Sequence, residues 1–203
     1  MLSELFTRCL NATYIHTENC GDYAIELDGD TLYLLFECSD GAEDWRNNFD
    51  FPARPYKRME DEWFCHRGFL KVWKAMRDEI ERTVDNLLEP EIKNIVCVGY
   101  SHGGPLALLA TEDMEYLHGD KVMVTGYGFG SPRVIWGNVP EAVKNRLQRF
   151  KVIRNVPDLV THVPPALLGF RHGGEVVNIG SPGKYGPIKA HYASAYKNEL
   201  SQD

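Results

Sequence analysis

Ser101 stands between glycines in the stretch Val96 to Ala110, which reads VCVGYSHGGPLALLA. Gly99-Tyr100-Ser101-His102-Gly103 fits G-x-S-x-G, with an apolar run before it and another after it. A serine in a tight turn is either punctuation or a nucleophile. In this motif the strand-to-helix turn is strained, so the serine oxygen projects above the sheet edge and bulky flanking side chains would collide. The backbone N–H groups that follow open a helix, where the dipole favours negative charge. The His102 N–H is therefore a candidate donor to a developing oxyanion. Pro105 is compatible with this reading, because a first-turn proline gives up an N–H that has no intrahelical acceptor.

A serine hydroxyl needs a base to take its proton. On this architecture the chain order runs serine, acid, histidine. The histidines from Ser101 onward are His102, His118, His162, His172 and His191. His102 follows the serine directly, and its side chain should point away on the new helix. His118 falls past the far end of that helix. His172, in FRHGGEV, precedes a strand and so lies at the wrong edge of a parallel sheet. His162 follows the candidate acid too closely to turn back on it. His191 opens the last helix after the loop GSPGKYGP, which can overhang the sheet edge. A structural role is the ordinary expectation for the others. For the acid, Asp158 comes directly after the strand-like KVIRN; the alternative for it is a loop-capping aspartate. Its proposed work is to hold the imidazole tautomer and stabilise the imidazolium.

These groups need elements to carry them. Tyr23–Leu27 and Thr31–Phe36 flank Asp28-Gly29-Asp30, a hairpin signal. Phe51–Cys65, rich in proline and charge, reads as an excursion loop. Phe69, Val72, Trp73, Met76, Ile80, Val84 and Leu87 recur at helical spacing, and Pro90 stops that helix. Ile95–Gly99 reads as a strand covered on both faces, and Leu106–Ala110 continues as helix. Val122–Phe129, Lys151–Asn155 and Glu175–Ile179 read as strands, Val139–Arg149 as a helix, and a closing helix runs from about His191 to Leu200. Such alternation predicts an α/β fold with a mostly parallel sheet and helices on both faces, its loops carrying the site at the carboxyl edge.

The 203 residues fit one domain over 1–203 with a sizeable core. Hydrophobic residues make up 43% and charged residues 25%, which is ordinary for a globular chain. The formal charge of -7 disfavours nucleic acid as a partner and long-range attraction to anionic membranes. No apolar run reaches membrane-spanning length, so stable membrane insertion is not expected. MLSELFTRCLNATYIHTENC lacks a signal-peptide pattern. The five cysteines, Cys9, Cys20, Cys38, Cys65 and Cys97, stand singly, which reads as free thiols in a reducing cytoplasm; no spacing suggests a metal site.

Several ordered motifs together resemble the class 3 lipases, the fungal-lipase-like branch of the α/β-hydrolases. VGYSHGGPLALLA resembles the family's nucleophile elbow, and VIRNVPDLVTHVPP its segment with the catalytic aspartate. GFGSPRVIWGN is similar to a family segment of the form F-G-x-P-R-V-G-N, with Ile135 and Trp136 intruding before Gly137. FRHGGEVV looks like a segment whose histidine is structural, and HRGFLKVW like the H-x-G-F stretch before a long helix. The resemblance spans about Leu32 to Tyr196. It implies Ser101, Asp158 and His191 as the catalytic triad of a serine carboxylic-ester hydrolase, acting on glycerides or smaller soluble esters with no cofactor and no metal. It also implies Ser39 as the first oxyanion donor, beside the His102 amide, although Glu37 and Cys38 replace a basic residue and a glycine of the family pattern. The family's lid position falls on DGAEDWRNNFDFPARPYKRMEDEW. Apart from Trp45 and Phe49 its surroundings are charged or amide, which implies a soluble-ester preference with little interfacial activation. The alternatives are a phospholipid or lysophospholipid acyl hydrolase, and a lipase-like binding domain without turnover.

Overall fold

The computed structural model describes residues 1–17, 21–36, 52–58 and 61–202. In chain order the elements are α1 (Leu2–Asn11), β1 (Tyr23–Asp28), β2 (Thr31–Phe36), β3 (Ala53–Arg58), β4 (Asp61–His66), α2 (Arg67–Leu87), β5 (Asn94–Tyr100), α3 (Gly103–His118), β6 (Met123–Phe129), β7 (Ile135–Trp136), α4 (Glu141–Arg146), β8 (Phe150–Asn155), β9 (Phe170–Arg171), β10 (Glu175–Ile179) and α5 (Ala193–Leu200). Short 3-10 turns cover Val160–His162, Ala166–Leu168 and Lys189–His191.

The main sheet has the order β1-β2-β5-β6-β8-β10. Only the β1–β2 hairpin is antiparallel; β2, β5, β6, β8 and β10 run parallel. Side chains alternate across it, as the pleat requires. Leu32, Leu34 and Phe36 of β2, with Ile95 and Cys97 of β5, enter a core shared with α2 and α3. Leu35, Val98 and Tyr100 point the other way and pack with Phe6 of α1 and Tyr196 and Leu200 of α5. Helices thus cover both faces, the arrangement expected from the alternation of elements.

Three parts of the chain depart from the sequence reading. Phe51–Cys65 is not simply an excursion loop: β3 and β4 form an antiparallel hairpin, joined by β7 and β9 into a second sheet ordered β3-β4-β7-β9. Pro55 is tolerated because β3 is the edge strand. The hairpin is pinned by buried polar groups. Tyr56 Oη donates to both carboxylate oxygens of Asp113 on α3, at 2.7 and 2.6 Å, and Trp73 Nε1 donates to Asp113 Oδ2 at 2.9 Å. Arg146 adds a bridge, Nε to Glu112 and Nη2 to Asp61, each 2.7 Å. The expected Val139–Arg149 helix is confined to α4, whose N-cap is Pro140. The helix α1 was not anticipated; it docks Phe6 and Cys9 against the sheet.

Cys9, Cys65 and Cys97 are buried and form no disulfide among the described residues, and burial pushes the Cys97 thiol up to about 12. Cys20 and Cys38 lie outside the described residues. Among the described residues, no helix is long and apolar enough to cross a membrane, and no cluster of His, Cys, Asp or Glu could hold a metal ion.

Candidate active site

β5 delivers Ser101 and α3 begins two residues later. Ser101 has φ 54°, a left-handed backbone that a residue with a Cβ adopts at a cost of order 1–3 kcal/mol. The turn is held on both sides: Ser101 N donates to Phe129 O at 2.9 Å, and Gly104 N donates to Ser101 O at 3.0 Å. The motif's first glycine is required by close approach, since a Cβ on Gly99 would sit 2.0 Å from the Gly103 carbonyl oxygen. Pro105 is the third residue of α3, in its first turn. His102 caps that helix; its ring is buried, edge-on to Phe69 with centroids 5.3 Å apart, and burial beside His66 lowers its pKa to about 4.

The other two groups arrive on separate loops. Asp158 follows β8 in a turn in which its N–H donates to Asn155 O at 2.9 Å. Its carboxylate is fully buried. His191 ends the 3-10 turn before α5. His191 Nε2 lies 2.7 Å from Ser101 Oγ, and Nδ1 lies 2.8 Å from Asp158 Oδ2. With the carboxylate accepting at Nδ1, that nitrogen carries the proton and Nε2 faces the serine hydroxyl as an acceptor. Three side chains from positions 57 or 33 residues apart thus form one hydrogen-bonded line. Such a line can take a proton from Ser101 and hold the resulting imidazolium.

The remaining histidines occupy structural positions. His118 ends α3, buried, with Nε2 3.6 Å from Asp85. His162 Nδ1 contacts Asp158 O and the Thr161 hydroxyl. His172 Nε2 bonds to Thr161 O at 2.8 Å, and burial lowers its pKa to about 4. Ser39, Glu37, Cys38, Trp45 and Phe49, the last two expected in a lid, lie outside the described residues.

Three supporting residues were missed in the sequence. Tyr196 Oη donates to Asp158 Oδ2 at 2.7 Å. Tyr100 stacks on the His191 ring and its hydroxyl donates to His191 O. Gly130, at φ +56°, passes beneath the pair; a Cβ there would lie 3.0 Å from His191 Cε1 and 3.2 Å from Asp158 Oδ2. Only Gly130 carried a signal, as part of the GFGSPRV motif; neither tyrosine stands in a pattern that assigns its hydroxyl a role.

A parallel sheet with a strained serine at a strand-to-helix turn defines an α/β-hydrolase-type fold. A family model, Lipase (class 3), matches residues 33–168. The chain belongs to the class 3 lipase family. It is 29% identical over 150 residues to a lipase from Rhizomucor miehei, covering 71% of this chain and 40% of that protein. It is 31% identical over 149 residues to phospholipase A1-II 5 from Oryza sativa subsp. indica, covering 64% of this chain and 31% of that one. The chain therefore spans well under half the length of either. A fungal lipase–inhibitor complex superposes with a TM-score of 0.69 at 22% identity, covering 88% of this chain and 76% of its own, which attests the fold.

Proposed function

We propose that this chain is a serine carboxylic-ester hydrolase with Ser101 as nucleophile, His191 as general base and acid, and Asp158 as the orienting acid. The observation that carries this reading is the Ser101–His191–Asp158 line, at 2.7 and 2.8 Å. As Ser101 Oγ bonds to the acyl carbon, its proton passes to His191 Nε2 and the carbonyl electron pair moves onto oxygen. The oxyanion sits at the start of α3, beside the His102 amide, with Ser39 as the other donor. Collapse of the intermediate breaks the bond to the alcohol, which takes the proton from Nε2. Water then repeats the sequence on the acyl-enzyme and frees the acid.

Glycerides or smaller soluble esters fit best, and the polar lid stretch favours the soluble ones. A phospholipid acyl hydrolase is the second reading, favoured by the likeness to a phospholipase A1. The test is turnover of p-nitrophenyl esters from acetate to palmitate by the native protein and Ser101→Ala. The reading expects turnover that falls by about a thousandfold or more in the variant. A folded native protein inert to every ester would favour a silent binding domain.

A further inference from the structure

We propose that Tyr196 is a positioning residue for the acid–base pair, holding Asp158 so that its carboxylate keeps one oxygen on His191. This rests on the triad reading above. Asp158 Oδ2 receives two side-chain donors, His191 Nδ1 at 2.8 Å and Tyr196 Oη at 2.7 Å, while Oδ1 receives the Val160 N–H at 2.9 Å. The carboxylate is thus fixed from three directions and cannot rotate without breaking a bond to a charged group, the strong kind inside a protein.

The hydroxyl is itself oriented. Asn155 N donates to Tyr196 Oη at 3.1 Å, which occupies the oxygen's acceptor side and aims its proton at Asp158. The same Asn155 donates through Nδ2 to Ala190 O at 3.0 Å, beside the histidine. One residue at the end of β8 therefore ties the acid's partner on α5 to the backbone that carries the base. The Tyr196 ring is fully buried against Phe6 and Tyr100, at 5.7 and 5.9 Å between centroids. Burial and the adjacent carboxylate push its pKa well up, so the hydroxyl stays a donor throughout the working range.

Removing the hydroxyl leaves the imidazolium as the one side-chain donor to Asp158 Oδ2. The carboxylate, relieved of one donor, then attracts the imidazolium more strongly, so the base should keep its proton to higher pH, while its orientation is no longer fixed from the tyrosine side. Tyr196→Phe preserves the ring and is the first variant. Its kcat should fall about tenfold with KM within about twofold, because a carboxylate held less firmly lets the imidazole stray from its line to Ser101. The acidic limb of its pH–rate profile should move to higher pH. A fluorotyrosine placed at position 196 keeps the shape but donates more strongly, and should move that limb the other way. A merely structural tyrosine would shift melting temperature and leave both limbs in place, and that result would overturn the proposal.

A readout independent of turnover separates this proposal from the hydrolase reading. The proton resonance of His191 Nδ1–H would report the bond to Asp158 directly, since a short bond to a carboxylate moves it downfield. It should shift in Tyr196→Phe and, in the opposite sense, in the fluorotyrosine protein. An unchanged resonance in both would overturn the positioning role even in an active enzyme. A native protein that hydrolyses nothing, yet shows these shifts, would overturn the hydrolase reading and leave Tyr196 in the role assigned to it.

Discussion

Tyr100 lies over the imidazole of His191, with ring centroids 5.5 Å apart and planes 26° from parallel, and its hydroxyl donates to the His191 carbonyl. Tyr100 is the variable residue before the serine in G-x-S-x-G, so the strand that delivers Ser101 also clamps His191. Stacking of this kind contributes about 0.5–1.5 kcal/mol beyond the area it buries, and a neutral hydrogen bond about 1 kcal/mol. Tyr100→Phe keeps the stack and should lower kcat by about fivefold; Tyr100→Leu loses both contacts and should cost about tenfold or more. Steady-state kinetics on one ester check the order of the two.

The left-handed backbone of Ser101 predicts a trade of activity for stability. Glycine accepts φ 54° without strain, so Ser101→Gly should be more stable by about 1 kcal/mol, with a melting temperature about 2–4 °C higher. It should also be inactive. Calorimetry beside an ester assay tests both halves, and a destabilised Ser101→Gly would mean that the turn is relaxed.

Glu112 predicts a pH-dependent term in stability. Burial and then the adjacent Asp113 push its pKa up to about 7, against the pull of Arg146. Burial also penalises the Arg146 charge, but its bonds to Asp61 and Glu112 outweigh that, so the guanidinium is held on while the carboxylate is the unfavourable partner. The folded state keeps the Glu112 proton where the unfolded chain has lost it. The stability from this group is complete below the unfolded value near 4.5 and is lost as pH rises through about 7. Glu112→Gln cannot ionise, so its melting temperature relative to native should rise between pH 5 and pH 8. Denaturation scans at both pH values measure that difference.

The turn at Ser101 and the placement of Asp158 and His191 beside it were legible because each sits where an apolar strand ends or a loop enters a helix, and chain order narrowed the choice. Glu175–Ile179 was likewise read to its ends. The hairpin β3–β4 was hidden because Pro55, Arg54, Lys57 and Glu62 face outward, leaving Tyr56, Trp63 and Cys65 as a sparse inward pattern. Ile135 and Trp136, which interrupt the family motif, turn out to be a strand: β7 pairs with β4 and β9. Two-residue strands carry no periodicity to read. Tyr196 was illegible for another reason, since the hydroxyl of a core tyrosine acquires meaning only from what it meets in space.

The polar stretch around Trp45 and Phe49 predicts a smooth dependence on substrate concentration. Rates on a short triglyceride should pass its solubility limit without a jump. A sharp rise above that limit would mean that an apolar surface is exposed at the interface, contrary to the composition of the stretch.

Covalent capture of Ser101 is the most direct measurement. A fluorophosphonate probe reacts only with a serine whose proton has an acceptor. The folded native protein should label once, with the adduct mapped by mass spectrometry to the peptide holding Ser101, and His191→Ala should abolish labelling while keeping the fold. Labelling that persists unchanged in Ser101→Ala, or none at all on the folded native chain, would contradict the account.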